Sequence, residues 1–436
     1  MKITCRKMGI NGEGIGYIDR VPVFCDGVLP GETAEVEITE KHETYMRAAA
    51  KKIIRFSPVR ERCDCRCQKA CGGCPLFIMK YEEQLKWKKE LLAEALLKYG
   101  NVKRHFIREF RPSPQITGYR NQCRLPAAMF DGKLVTGMYK AGSNHFMSVA
   151  ECAVHDPLLE TVRKDVLRVL NDHRIRAYDA KTRKGIRGVM VRVLDEQAHV
   201  TLITGKEKLN DETISDLMHI PYVKGVHQSV NTEKNPVSLL TSVKTIAGDD
   251  QMEISVHGIQ LRLSPDSFFQ LNRPQAEKLY ETAVSKIDRC GLLVEAYCGV
   301  GAMSLMAAGK AKEIIGIESV RNAVRNAEEN ARINHITNAK FLCADAADGL
   351  YKAARNGEIG CLLADPPRSG MDDNMIEAIM KVLPKKIIYI SCNPATLARN
   401  LKELKHHYHV ESVIPFDMFP NTPHIESITV LERDNY

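Results

Sequence analysis

The chain has 436 residues, 44% hydrophobic and 27% charged, with a net charge of +8 and 14 Cys. This is an ordinary soluble composition, too long for one core, so roughly two to three domains are expected, and the mild basicity is compatible with a nucleic-acid partner. The opening residues MKITCRKMGI carry no long apolar segment behind their charges. They do not read as an export signal, which implies a cytoplasmic, reducing setting where clustered Cys are metal ligands rather than disulfides.

Residues 1–56 read as short strands and turns. Gly12, Gly14 and Gly16 loosen the opening, VPVF is a strand, and Leu29-Pro30-Gly31-Glu32 turns into AEVEI, as in a small oligonucleotide-binding type of β-barrel. The glycine pattern followed by VFCDGVLPGE resembles the TRAM domain attached to several RNA-modifying enzymes. Residues 57–100 begin with five Cys between Cys63 and Cys74 and continue with Leu85, Leu92 and Leu96 at helical spacing. A helix therefore leaves a thiol cluster whose soft donors suit iron–sulfur or zinc.

Residues 101–262 are mixed α+β. Two hairpins are expected over GYRNQCRLPAAMF and KLVTGMYKAGSNHFMSVAECAVHD, then a helix over DPLLETVRKDVLRVLNDH and two strands over GVMVRVLDEQAHVTLIT. Basic residues concentrate at 163–192: Arg163, Lys164, Arg168, Arg174, Arg176, Lys181, Arg183, Lys184, Arg187 and Arg192, with Tyr178 among them. They form either an RNA-facing rim or a merely solvated surface.

From 263 onward apolar strands alternate with helices, the pattern of a doubly wound α/β sheet. The apolar stretch 291–309 is broken by Glu295, Gly299 and Gly301, so it reads as strand, turn and helix rather than a membrane span. Gly299-x-Gly301 lets a ligand approach the backbone, but Ser304 stands where a dinucleotide fingerprint needs a third glycine. Glu318 follows where an acid would bind ribose hydroxyls, and Asp345 ends the third strand. The fourth strand ends Asp365-Pro366-Pro367, an acid-Pro-Pro sequence that marks S-adenosylmethionine-dependent methyltransferases. The next strand must stop before Pro394, which leaves Cys392 at the carboxyl edge where ligands bind. Glu426 follows a proline-punctuated turn and precedes another apolar run. A thiol and a carboxylate on one rim could be a nucleophile and a base.

The chain resembles the RNA 5-methyluridine methyltransferases, and more narrowly the branch that acts on 23S ribosomal RNA and carries a TRAM domain and an iron–sulfur cluster. The matching pieces are CGGC (71–74), SFFQLN (267–272), EAYCGVG (295–301), GIE (316–318), ADPPRSG (364–370), SCNPATLARN (391–400) and FPNTPHIE (419–426). The resemblance implies a Rossmann-like class I methyltransferase domain over 263–436, a TRAM barrel over 1–56, a cluster loop and helix over 57–100, and a central RNA-binding domain over 101–262. It makes Cys392 the nucleophile and Glu426 the general base, with Asp365 and Arg399 orienting them. Gln270, Tyr297, Glu318 and Asp365 would hold S-adenosylmethionine, with Asp345 near the adenine. Cys65, Cys71, Cys74 and Cys152 would hold a 4Fe–4S cluster, while Cys63 or Cys67 could replace a member. The implied partner is 23S rRNA, without a membrane or an obligatory protein partner. Methylation of the tRNA T-loop uridine and an inactive RNA-binding assembly factor are the alternatives. Three positions depart from the family pattern: Glu295 in place of Asp, which conserves charge; Asn400 in place of Asp, which removes one; and Ala302, which lacks a polar side chain.

Overall fold

The computed structural model describes residues 1–140, 143–233 and 240–434. Strands between Lys2 and Arg55 form one six-stranded sheet curled around Ile3, Cys5, Val23, Cys25, Val28 and Val36. Its outer side is not free. Met8 and Leu29 from this barrel share a second small core with Leu76, Ile78 and Met79, which follow the Cys-rich segment.

The long helix Tyr81–Gly100 continues from that segment and buries Leu92 and Leu96 against Leu397, Ala398 and Leu401 of the helix Pro394–Leu404. Gly100 permits the close crossing, because a Cβ there would stand 3.2 Å from the Ala398 backbone. Residues after the helix run beside the last part of the chain, with parallel bridges Ile107–Val413 and Arg111–Phe416. Residues 81–111 thus belong structurally to the C-terminal body.

The central unit is a seven-stranded sheet formed from residues between Gln122 and Gly248, covered by the helices Pro157–Asp172 and Asp211–Met218. The expected strands and helix of this region all form. The basic run divides, however. Arg163 is buried on the inner face of its helix, where it bonds Glu160, the Thr136 hydroxyl and the Ala150 carbonyl. Arg192 is buried as well and donates to Gln122 and the Ser264 and Ser267 carbonyls. Both are internal fasteners, Arg187 is half-buried, and the other members of the run are exposed. Arg187 stacks over the Tyr178 ring, 3.6 Å from its centroid.

The catalytic sheet has seven strands: Cys290–Ala296, Ala311–Glu318, Ala339–Cys343, Ile359–Ala364, Lys386–Ser391, Tyr408–Phe416 and Glu426–Arg433. Their spatial order is third, second, first, fourth, fifth, seventh, sixth. The first five are parallel, and the seventh inserts antiparallel between the fifth and sixth. Both faces are covered by core, which is why runs such as Leu292–Val294 and Ile387–Ile390 are continuously apolar. The hairpin Met252–Val256 and Ile259–Leu263 packs into this core, and Arg262 and Gln260 donate backbone N–H groups to Asn330 and Asn334. The hairpin's apolar face thus has its partners in the core of this sheet, although the hairpin lies ahead of residue 263 in the chain. Among the described residues no helix is long and apolar enough to cross a membrane.

Candidate active site

The chemistry gathers at the carboxyl rim of the catalytic sheet. The fifth strand ends at Ser391, and Asn393 caps the next helix by accepting from the Ala395 N–H at 3.0 Å, with Pro394 at its first position. Cys392 is fixed between strand and cap. Ser391 pairs with Ser427 in the antiparallel ladder, which sets Glu426 across from Cys392. Asp365 leaves the fourth strand one residue beyond Ala364, itself paired with Tyr389. Three groups from three strands thus share one corner, and Cys392 opens onto a groove of about 900 Å³. Arg368, Arg399 and His424 line it, as do Lys98, Tyr99 and Ile10 and Asn11 of the N-terminal barrel.

The electrostatics follow from burial. Asp365 is pushed up to about 7 by desolvation. Glu426 rises well above the carboxylate range, through burial first and the Asp365 charge second. Each carboxyl thus holds its proton to higher pH than an exposed one would, and the titration belongs to the pair. The Cys392 thiol is pushed up to about 11 by burial, then by Glu426 and Asp365, against the Arg368 charge. A raised thiol value means little thiolate at neutral pH, so alkylation of Cys392 by iodoacetamide should climb with pH toward a half-point near 11. Asp365→Asn or Glu426→Gln removes a charge that opposes ionisation, so each should move that half-point to lower pH. Peptide mass spectrometry at Cys392 reads the result, and an unmoved half-point in both variants would refute this account of the site.

Beside this corner lies a narrow cleft lined by Phe268, Phe269, Tyr280, Tyr297, Gly299, Val300, Met303 and Asp365. Tyr297 has φ +63°, a conformation that a bulky side chain adopts only where its surroundings impose it. Glu318 frames the glycine turn: its carboxylate accepts from the N–H of Gly299 at 3.1 Å and of Val320 at 2.8 Å. At Gly301 a Cβ would strike the Phe341 ring at 2.9 Å. Asp345 caps the helix Ala346–Ala353 from the same rim, accepting from the Ala347 N–H at 3.0 Å. Gln270 is buried, and its carbonyl accepts from Asn121 Nδ2 at 3.0 Å; Phe268 and Phe269, not Gln270, line the cleft. The donor set suits a nucleoside-bearing ligand: glycine backbone, an acid at the second strand and aromatic walls. Phe268, 71% exposed, was invisible as a site residue in the sequence. Only its place between Ser267 and Gln270 in a family motif could have signalled it.

Two departures from the family pattern acquire explanations. Glu295 is buried, accepts from the Ser304 hydroxyl, and is pushed up to about 8 by burial. Asn400 uses both ends of its amide: it accepts from Met371 N–H at 3.1 Å and the Tyr389 hydroxyl at 2.8 Å, and donates to the Met371 carbonyl at 2.9 Å. A carboxylate could not make the last bond. Arg399 donates to the Ser369 carbonyl at 3.0 Å and so holds the loop that follows Asp365.

Cys65, Cys71, Cys74 and Cys152 line a second cavity, of about 150 Å³, together with Cys67 and Cys123. Cys63 lies outside it and packs beside Leu76 and Met79. The Cys74 thiol is pushed up to about 12 by burial and then by the charges of Cys152, Cys71 and Cys65. Among the described residues no group of three or more His, Cys, Asp or Glu side chains stands as arranged to hold a metal ion.

Known proteins match this chain in sequence and in fold. A profile of the tRNA (Uracil-5-)-methyltransferase family matches residues 80–434, and one of the TRAM domain matches residues 2–51. The chain belongs to the RNA uracil-5-methyltransferase family. As a member it is an enzyme that depends on S-adenosylmethionine as methyl donor and acts on RNA. Relatives include an uncharacterized RNA methyltransferase of Bacillus cereus, 35% identical over 99% of this chain and 96% of that one. Another, from Listeria innocua, is 34% identical over 99% and 97%. Among solved structures, the Pyrococcus abyssi tRNA (uracil-54, C5)-methyltransferase in complex with S-adenosyl-L-homocysteine is similar in fold. It has TM-score 0.78 and 24% identity, covering 99% of this chain and 100% of its own. The strand order described above is thus that of a class I methyltransferase with a TRAM domain at its N-terminus.

Proposed function

We propose that this chain methylates carbon 5 of a uridine in 23S rRNA through a covalent Cys392–uracil adduct. The reading is carried by the meeting of Cys392, Glu426 and Asp365 at one corner of the sheet. Carbon 5 of uracil is a poor nucleophile. The Cys392 thiolate adds to carbon 6, and the ring electrons move onto carbon 5 and the 4-carbonyl oxygen. S-adenosylmethionine supplies the electrophilic methyl group and leaves as S-adenosylhomocysteine. Glu426 then takes the carbon-5 proton, the enolate re-forms, and the thiolate is expelled. The Asp365 charge raises the proton affinity of Glu426, and Arg399 holds the loop beside them.

Tyr297, Glu318, Asp345 and Asp365, with Gln270 behind the cleft wall, are assigned to the methyl donor. Cys65, Cys71, Cys74 and Cys152 are assigned to a 4Fe–4S cluster with a structural role. Six Cys gathered around one cavity of about 150 Å³, with His155 and Glu151 also on its wall, offer more soft donors than one zinc ion needs, and Cys67 is the reserve ligand. Iron and sulfide analysis after anaerobic purification separates the two. An enzyme of this kind works in the cytoplasm.

The rRNA assignment rests on the barrel and the thiol cavity taken together. A second reading, the T-loop uridine of tRNA, is favoured by likeness across both whole chains to the Pyrococcus abyssi tRNA enzyme. That likeness weakens an N-terminal barrel as a mark of rRNA enzymes. Nucleoside mass spectrometry of both RNA classes from a deletion strain is the test. Loss of 5-methyluridine from 23S rRNA alone is expected, and loss from tRNA alone would replace the rRNA reading.

A further inference from the structure

The segment between the sixth and seventh strands carries more restraint than a connecting loop needs. Four consecutive carbonyls are each held by a different element. Asn272 Nδ2 donates to Met418 O at 3.0 Å, Lys88 Nζ to Phe419 O at 3.1 Å, the Tyr119 hydroxyl to Pro420 O at 3.1 Å, and the Leu76 N–H to Asn421 O at 3.1 Å. Two of the four donors, Leu76 and Lys88, belong to the thiol-bearing segment and its helix.

That helix turns two polar side chains inward, one turn apart. Lys88 is fully buried and also donates to Asp417 Oδ1 at 2.5 Å. Gln84 is buried and makes a reciprocal pair with Asn421: its Nε2 donates to Asn421 Oδ1 at 3.0 Å, and its Oε1 accepts from the Asn421 N–H at 2.9 Å. Asn421 has φ +69°, a left-handed turn this pair helps to hold. The next residue, Thr422, lines the thiol cavity. Pro423, His424 and Ile425 line the groove that holds Cys392. Glu426 then opens the seventh strand. Three residues of chain thus separate a wall of the thiol cavity from the carboxylate facing the nucleophile.

We propose that Gln84 and Lys88 are positioning residues for Glu426, and that through them the thiol module sets the geometry of the proton-removal step. This rests on the reading of Glu426 as base. Buried polar pairs are suited to the task because each has one satisfied arrangement, whereas apolar contacts tolerate sliding. The thiol module gains a task in catalysis without taking part in the methyl transfer itself. No residue that lines the cofactor cleft takes part in these bonds.

The test compares Gln84→Leu and the charge-neutral double variant Lys88→Met/Asp417→Asn with Glu426→Gln, all as full-length protein. The double variant avoids leaving Asp417 buried and unpaired. Expected for both brace variants are a kcat at least tenfold lower, an RNA KM and S-adenosylmethionine affinity within twofold of the parent, and a covalent RNA–protein band on denaturing gels. Hydrogen exchange at 418–427 should rise while the first two strands stay protected. Wild-type kcat without a band would overturn the proposal. So would a fall in kcat accompanied by lost S-adenosylmethionine binding and general deprotection, the mark of a merely structural role. If Glu426→Gln itself traps no band, the base assignment fails and the proposal falls with it. If that variant traps a band and the brace variants do not, only the brace is wrong.

Discussion

Replacing Cys392 with Ala is expected to lower methyl transfer by at least about 10⁴-fold while S-adenosylmethionine affinity stays within about twofold. The size follows from the ring. Without addition at carbon 6 there is no enolate, and carbon 5 has no electron pair to offer the methyl group. The selectivity follows from place: Cys392 lines the large groove, whereas the cleft beside it is walled by Phe268, Phe269, Tyr280 and Tyr297. Transfer of labelled methyl to RNA and calorimetric titration with S-adenosylmethionine check the two halves. Turnover near the parent rate would remove Cys392 from the mechanism, whatever the RNA.

Glu426→Gln should show the opposite pattern, a complete first half and a stalled second. Overall turnover is expected to fall by about 10²–10⁴-fold, the usual worth of a positioned base. The methylated adduct should accumulate as a slow band on denaturing gels. Adduct formation itself should not suffer, because Gln carries no charge where an ionised Glu426 would oppose ionisation of the Cys392 thiol. Gln keeps the shape and removes that charge. The variant therefore separates two roles that a carboxylate in this corner plays: a hindrance to the nucleophile before addition and a base after it. A slow variant with no band would contradict the assignment.

Much of the fold could be read in the chain because the first five catalytic strands are buried on both faces and carry unbroken apolar runs. The acids at their ends fall where turns must begin, so Glu318, Asp345 and Asp365 were legible as rim residues. Their uses were less so. Glu318 and Asp345 make backbone hydrogen bonds that depend on the φ and ψ of the next residues, which composition does not reveal. The basic run at 163–192 misled at two positions for a definite reason. Arg163 follows Val162 and precedes Val166 on a helix whose inner face includes all three, and a sequence run counts charges without assigning them to faces. The approach of Glu426 to Cys392 required the antiparallel seventh strand. A strand's first residue reaches the carboxyl rim of a parallel sheet only when that strand runs backwards, and no local pattern announces direction. Gln84 and Lys88 went unnoticed for a similar reason: polar residues on a long helix read as solvated until the partner 329 or 337 positions away is known.

The small core shared by the barrel and the segment after the cysteines bears on how separable the pieces are. Leu29 on one side and Leu76 on the other expose no surface at all. Cutting the chain at residue 56 would uncover both, forfeiting about 3–6 kcal/mol of burial from two leucines, a large share of a domain's net stability. The barrel is therefore not a cassette that can be clipped off to leave a slower enzyme. A chimera carrying a relative's barrel should fold only when residues 8 and 29 are exchanged together with 76, 78 and 79, so these five positions behave as one heritable unit across a domain border.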